Sequence, residues 1–194
     1  MSMQRRDELV DQILDTQPRL AGFVRAVPDD MSAGSWDMLS YSYQRGFEAM
    51  WDQALADRSG LLLRPLLSLW RQSVELALKA SISELGGGLD RKLGHDLRKL
   101  FAQLLKVRAT LGHTDDDDLA RDVTVMIDLV QSFDPFADRF RYPSSRDGRP
   151  FGGIDVHLDE LFQAHWIIVT WCEGAVIEAR EMHGSTNAGG AYQR

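Results

Sequence analysis

The chain has 194 residues, 44% of them hydrophobic and 26% charged, which is enough to bury a sizeable core in one domain with a small extension. A net charge of −7 argues against a protein coated in nucleic acid or lying on an anionic membrane, although locally basic sites remain compatible with it. The single cysteine, Cys172, excludes an intrachain disulfide and a multi-cysteine zinc site, and it suits a reducing compartment.

The charged start, Met1-Ser2-Met3-Gln4-Arg5-Arg6-Asp7-Glu8, lacks the apolar stretch of a signal peptide. The longest apolar run, 166–172, is far short of the roughly 20 residues a membrane span needs. The expectation is a cytoplasmic protein without membrane contact. Glu8–Val27 reads as a helix kinked or split at Pro18. Ser35 is the expected N-cap of a helix over Trp36–Ala56.

In Leu66–Leu85, the residues Leu66, Leu69, Ser73, Leu76, Ala77 and Ala80 form one helical stripe, stopped by Gly86. Asp96–Leu111 is a short helix, and Asp118–Phe133 another, entered through four aspartates that suit the positive end of a helix dipole. Asp134–Gly153 carries Pro135, Pro143, Pro150 and three glycines and reads as a long structured loop or lid, a length that is often functional. From Asp155 to Met182 a stripe of Leu158, Leu161, Phe162, Ile168, Val169, Cys172, Ala175, Val176 and Ala179 predicts one long helix, and Gly184–Ala191 a frayed tail.

No segment sustains two-residue alternation, so the fold class is all-α: an up-and-down bundle of five to six main helices with a Pro/Gly/Arg-containing loop before the last. Residues 1–60 read as an N-terminal helical segment packing on a core of 61–183, followed by a flexible tail at 184–194.

Three stretches share a pattern. Arg71, Glu75 and Lys79 lie four residues apart on one helix face. Gly94-His95-Asp96-Leu97 with Leu100 opens the next helix, and Phe140-Arg141-Tyr142-Pro143 precedes the last. In order and spacing, over roughly half the chain, this resembles a HEPN domain, a small all-helical module of prokaryotic toxin–antitoxin and phage-defence proteins. The resemblance implies a HEPN-like bundle and a homodimer. It also implies, for nuclease members, an Arg followed a few residues later by a His, which cleave RNA without metal.

One segment fits that spacing, Arg108-Ala109-Thr110-Leu111-Gly112-His113. It departs from the family at Ala109, where a polar residue is usual, and at Asp115, where a Tyr is common. Five helical positions subtend about 140° net, so Arg108 and His113 approach each other only if Gly112 ends the helix between them. The competing reading is an ordinary C-cap, with Arg108 complementing the helix dipole.

Other candidates carry two readings each. Arg71, Glu75, Lys79, His95 and Asp96 line a polar pocket, or they are a surface salt-bridge row and a helix cap; the two readings merge if His95 packs near Glu75. Arg139, Arg141, Tyr142, Arg146 and Arg149, interleaved with aromatics, suit contact with RNA, a nucleotide or an acidic protein partner, or they order the loop through internal ion pairs.

His157, Glu160, His165 and Glu173 share a helix without metal-ligand spacing, so no metal is expected. His165 on the apolar stripe reads as a satisfied core histidine and Cys172 as an inert buried thiol. Trp36, Trp51, Trp70, Trp166 and Trp171 suit a core or a dimer interface. Gly86-Gly87-Gly88 lacks the Lys-Ser/Thr of a phosphate loop, and no cofactor is expected. Two function classes follow: a binding or regulatory module acting through the arginine loop, and a metal-independent endoribonuclease using Arg108 and His113.

Overall fold

The computed structural model describes residues 32–189, and side chains as far as Met182; the helix expected over Glu8–Val27 lies outside the described residues. Five helices and no strand form there: α1 (Trp36–Ala56), α2 (Leu63–Glu84), α3 (Leu97–Thr110), α4 (Asp118–Phe133) and α5 (Leu158–Gly189). None is long and apolar enough to cross a membrane. Helix α5 runs into the Gly184–Ala191 stretch as far as Gly189.

Local chemistry sets the helix ends. Ser35 accepts a hydrogen bond from the Met38 amide, Asp96 from Lys99 and Asp117 from Ala120, so each helix start has one of its orphan donors satisfied. At the end of α2, Gly86 takes φ +76° and the Gly87 amide reaches back to the Ile82 carbonyl at 2.8 Å. Gly87 also permits a close approach: a Cβ there would sit 2.7 Å from the Val107 side chain of α3.

Helix α2 is the centre of the molecule and packs against α1, α3 and α5. The expected stripe is buried, Leu69 only in part, and Trp70, Val74, Leu78 and Ile82, also buried, widen it around the same helix. Phe47 of α1, Leu100 and Leu104 of α3, Ile127 of α4 and Ile168 of α5 close the core around it. Fully burying a side chain of this size contributes roughly 1.5–3 kcal/mol.

Polar stitches fix the register of α5. The indole N–H groups of Trp51 and Trp70 donate to the Leu158 and Leu161 carbonyls at 3.0 and 3.1 Å, and the Ser81 hydroxyl donates to the Cys172 carbonyl at 3.1 Å. His165 is buried against Phe47, with Nε2 2.9 Å from the Ser73 hydroxyl. Burial pulls its pKa down to about 4, so it is neutral. Burial likewise pushes the Cys172 thiol up to about 12, which removes it as a nucleophile at neutral pH. Trp36 and Trp166, by contrast, are exposed.

Candidate ligand-binding site

The Arg71–Glu75–Lys79 row is not at the surface. Arg71 and Glu75 are buried, because α2 is enclosed on that face by the loop that opens α3 and by the residues after α4. The Glu75 carboxylate, 1% exposed, accepts from Arg71 Nη1 at 3.2 Å, Lys79 Nζ at 2.7 Å and His95 Nδ1 at 2.9 Å. Burial alone would raise the Glu75 pKa, yet the hydrogen bond and charge of Lys79, and then those of His95, outweigh it and hold the carboxyl below its ordinary value. His95 therefore joins Arg71, Glu75 and Lys79 in one polar cluster. Asp96 stays apart, capping α3 and pairing with Lys99 at 3.5 Å.

Because the Glu75 carboxylate only accepts, Nδ1 of His95 donates to it, and Nε2 lies on the other side of the ring. The His95 side chain is 63% exposed, so that nitrogen belongs to the outer surface. The depressed carboxyl also has a pH signature. Its stabilisation is fully present above the unfolded value of 4.5 and is lost as pH falls through the lower folded value. In thermal melts at decreasing pH, Glu75→Gln is expected to lose less Tm below pH 4.5 than the wild type does. Parallel curves for the two proteins would count against this linkage.

Arg71 ties the cluster to the loop after α4. Its Nη2 donates to the His95 carbonyl at 2.7 Å, and its Nε makes an ion-pair contact with Asp134 Oδ2 at 3.2 Å. The other Asp134 oxygen accepts from the amides of Asp138 and Arg139 at 2.9 and 3.0 Å and so fixes the first turn of the loop. Sequence reading missed Asp134, although a signal was present. A carboxylate just past a helix C-terminus faces the negative end of the dipole, and its presence there asks for a nearby cation. Gln131 adds a second clamp, accepting from the Leu97 amide and donating to the Pro135 carbonyl.

The loop itself is ordered by its own chain. Ala137 sits at φ +57°, a conformation costing on the order of 1–3 kcal/mol, and its carbonyl receives the Arg141 guanidinium. Arg64 donates to the Arg139 and Tyr142 carbonyls at 2.7 and 3.3 Å. A bridge between Ser144 and Pro150 closes a short hairpin whose tip carries Arg146.

The five named loop residues thus divide. Arg139 is folded inward, its guanidinium 4.0 Å from the Phe133 ring centre. Arg141 is exposed but engaged at Ala137, and Arg149 pairs with Asp147 at 3.0 Å. Tyr142 and Arg146 are exposed and line a cavity of about 470 Å³ with Phe136, Asp138 and Arg141. Phe136, 66% exposed, and Tyr142, 56% exposed, supply its aromatic surface.

Arg108 and His113 do come together, because α3 ends at Thr110 and Gly112 turns the chain at φ +91°. Both are buried beside Glu178 of α5, at 2.8 Å from Arg108 Nη2 and 3.7 Å from His113 Nδ1. The guanidinium also donates to both oxygens of Asp115 at 2.9 and 3.0 Å, and to the Ala175 carbonyl at 2.6 Å. Burial would lower its pKa, but the hydrogen bonds it donates to Asp115 and Glu178 raise it. Among the described residues no group of three or more His, Cys, Asp or Glu side chains is placed to hold a metal.

No family model, curated protein or solved structure matches this chain.

Proposed function

We propose that this protein is a HEPN-like helical module that binds a ribonucleotide ligand, free or within single-stranded RNA, through the loop between α4 and α5. The observation that carries this reading is the pairing of two exposed aromatic rings, Phe136 and Tyr142, with Arg146 around one cavity on a protein of net charge −7. Exposed aromatics next to arginine stack bases and hold phosphates, whereas an internal ion-pair role for the loop needs no exposed rings. The toxin–antitoxin or phage-defence setting, and a cytoplasmic location, rest on the resemblance and on composition. A homodimer belongs to the same proposal. Exposed Trp166 and Leu119, which flank a groove between α4 and α5, are the face to probe by sedimentation.

Binding of labelled mononucleotides and short single-stranded RNA by fluorescence anisotropy tests the reading. Tyr142→Ala and Arg146→Ala are each expected to weaken binding about tenfold, the scale of one lost base stack or phosphate contact. Wild-type affinity in both variants would move the ligand elsewhere. No affinity in the wild type would leave an acidic protein partner for the arginines.

The endoribonuclease reading asks Arg108 to meet a scissile phosphate, but all three guanidinium nitrogens already donate within the protein. RNA cleavage in EDTA that disappears in His113→Ala would restore it.

A further inference from the structure

One member of the loop cavity is out of keeping with a phosphate site. Asp138 lines the cavity and is only 7% exposed, yet its carboxylate makes no hydrogen bond or ion pair with any described residue. Its amide and carbonyl are used by the loop, the amide donating to Asp134 and the carbonyl accepting from the Arg141 and Tyr142 amides. The side chain lines the cavity with two acceptor oxygens and no donor among the described residues. Among the described residues the enclosed side-chain atoms without a hydrogen bond are Arg71 Nε, His113 Nε2 and Arg139 Nε, so the Asp138 oxygens open to the cavity, where water or a ligand supplies their donors.

The surroundings restrict what the donor can be. Arg141 and Arg146 line the same cavity and repel a cationic ligand group, so the donors must be neutral. Phe136 and Tyr142 ask for a flat aromatic body, and the arginines accept a phosphate attached to it. Resting on the nucleotide-binding reading above, we propose that the cavity selects guanine, with Asp138 accepting hydrogen bonds from the N1–H and 2-amino group of the base.

Among the four RNA bases only guanine presents two adjacent donors that match the two oxygens of a carboxylate. Adenine offers one donor beside an acceptor, cytosine does the same, and uracil flanks its single donor with two carbonyls. Each of those edges sets a lone pair against Asp138. A cavity of about 470 Å³ accommodates a purine with its sugar and phosphate. Guanosine monophosphate and a guanine in single-stranded RNA share this chemistry, and they differ in whether phosphates extend on both sides of the sugar.

The experiment measures binding of the full chain to the 5′-monophosphates of guanosine, inosine, xanthosine and adenosine, and to RNA tetramers with or without a guanine. Guanine ligands are expected to bind about tenfold or more tightly than adenine ligands. Inosine, lacking the 2-amino group, should fall between them. Asp138→Asn keeps the shape of the side chain but replaces one acceptor with a donor. It is expected to abolish the guanine preference and shift it toward xanthosine, whose C2 carbonyl accepts from the amide. A thermal melt of Asp138→Asn within a few degrees of wild type confirms that the comparison is between folded proteins.

If binding depends on Tyr142 but is equal for all bases, or if Asp138→Asn keeps the guanine preference, the guanine assignment is overturned and the nucleotide reading stands. If no nucleotide or RNA binds, both fall together. Tighter binding of the guanine tetramer than of guanosine monophosphate would identify RNA as the source of the base, and the reverse a free nucleotide.

Discussion

Glu75→Ala is expected to destabilise the protein by about 3–5 kcal/mol, the scale for removing one member of a buried ion cluster. The loss comes from what is left behind. Lys79 is partly exposed and can turn its ammonium into water, but Arg71 is enclosed and, among the described residues, keeps Asp134 and the His95 carbonyl. For a chain of this size that corresponds to a fall in Tm of roughly 10 °C or more, read by thermal circular dichroism. A Tm within two degrees of wild type would mean that solvent reaches Arg71 in solution. Replacing Arg71 and Glu75 together with apolar residues of similar volume should be less damaging, because no guanidinium is stranded and Asp134 keeps the Asp138 and Arg139 amides as donors. Comparing the single with the double variant separates the desolvation of a stranded charge from the worth of the contacts.

Arg108→Ala is the second large effect, expected to cost about 3 kcal/mol because it leaves the largely buried Asp115 carboxylate without its guanidinium. Glu178 contributes little to that figure, since it is mostly exposed and water screens it. The variant also removes a group seated over the Trp171 ring, at 5.6 Å from its centre. A catalytic Arg108 would behave differently: its loss would abolish cleavage and leave the melt nearly unchanged. Measuring Tm and EDTA-resistant RNA cleavage on one preparation therefore assigns the residue to structure or to chemistry.

Much of the architecture was legible from local rules. Ser35, Asp96 and the aspartates before α4 announced helix starts, Gly86 and Gly112 announced stops, and the bounds of α1 and α4 agree with those expected. These signals work because a cap is satisfied within three or four residues of itself. The burial of the Arg71–Glu75–Lys79 face was not legible. Four-residue spacing of opposite charges is what a solvated helix face also shows, and the groups that enclose this one, His95 and Asp134, come from distant segments. The candidate site was legible as a composition but not as an arrangement. The Arg/aromatic segment stood out, yet nothing in its order separated the inward Arg139 from the outward Arg146, or marked Asp138 as a carboxylate with no donor among the described residues.

The manner in which Asp134, Arg64 and the Ser144–Pro150 bridge hold the loop bears on how fast it can work. A cavity already formed in the free protein imposes no folding step on the incoming molecule. Stopped-flow association should then show a single phase whose observed rate rises linearly with ligand concentration and reaches no plateau. In Asp134→Ala, where the first turn of the loop loses its acceptor, the rate should saturate instead, at the speed with which the loop finds its bound shape.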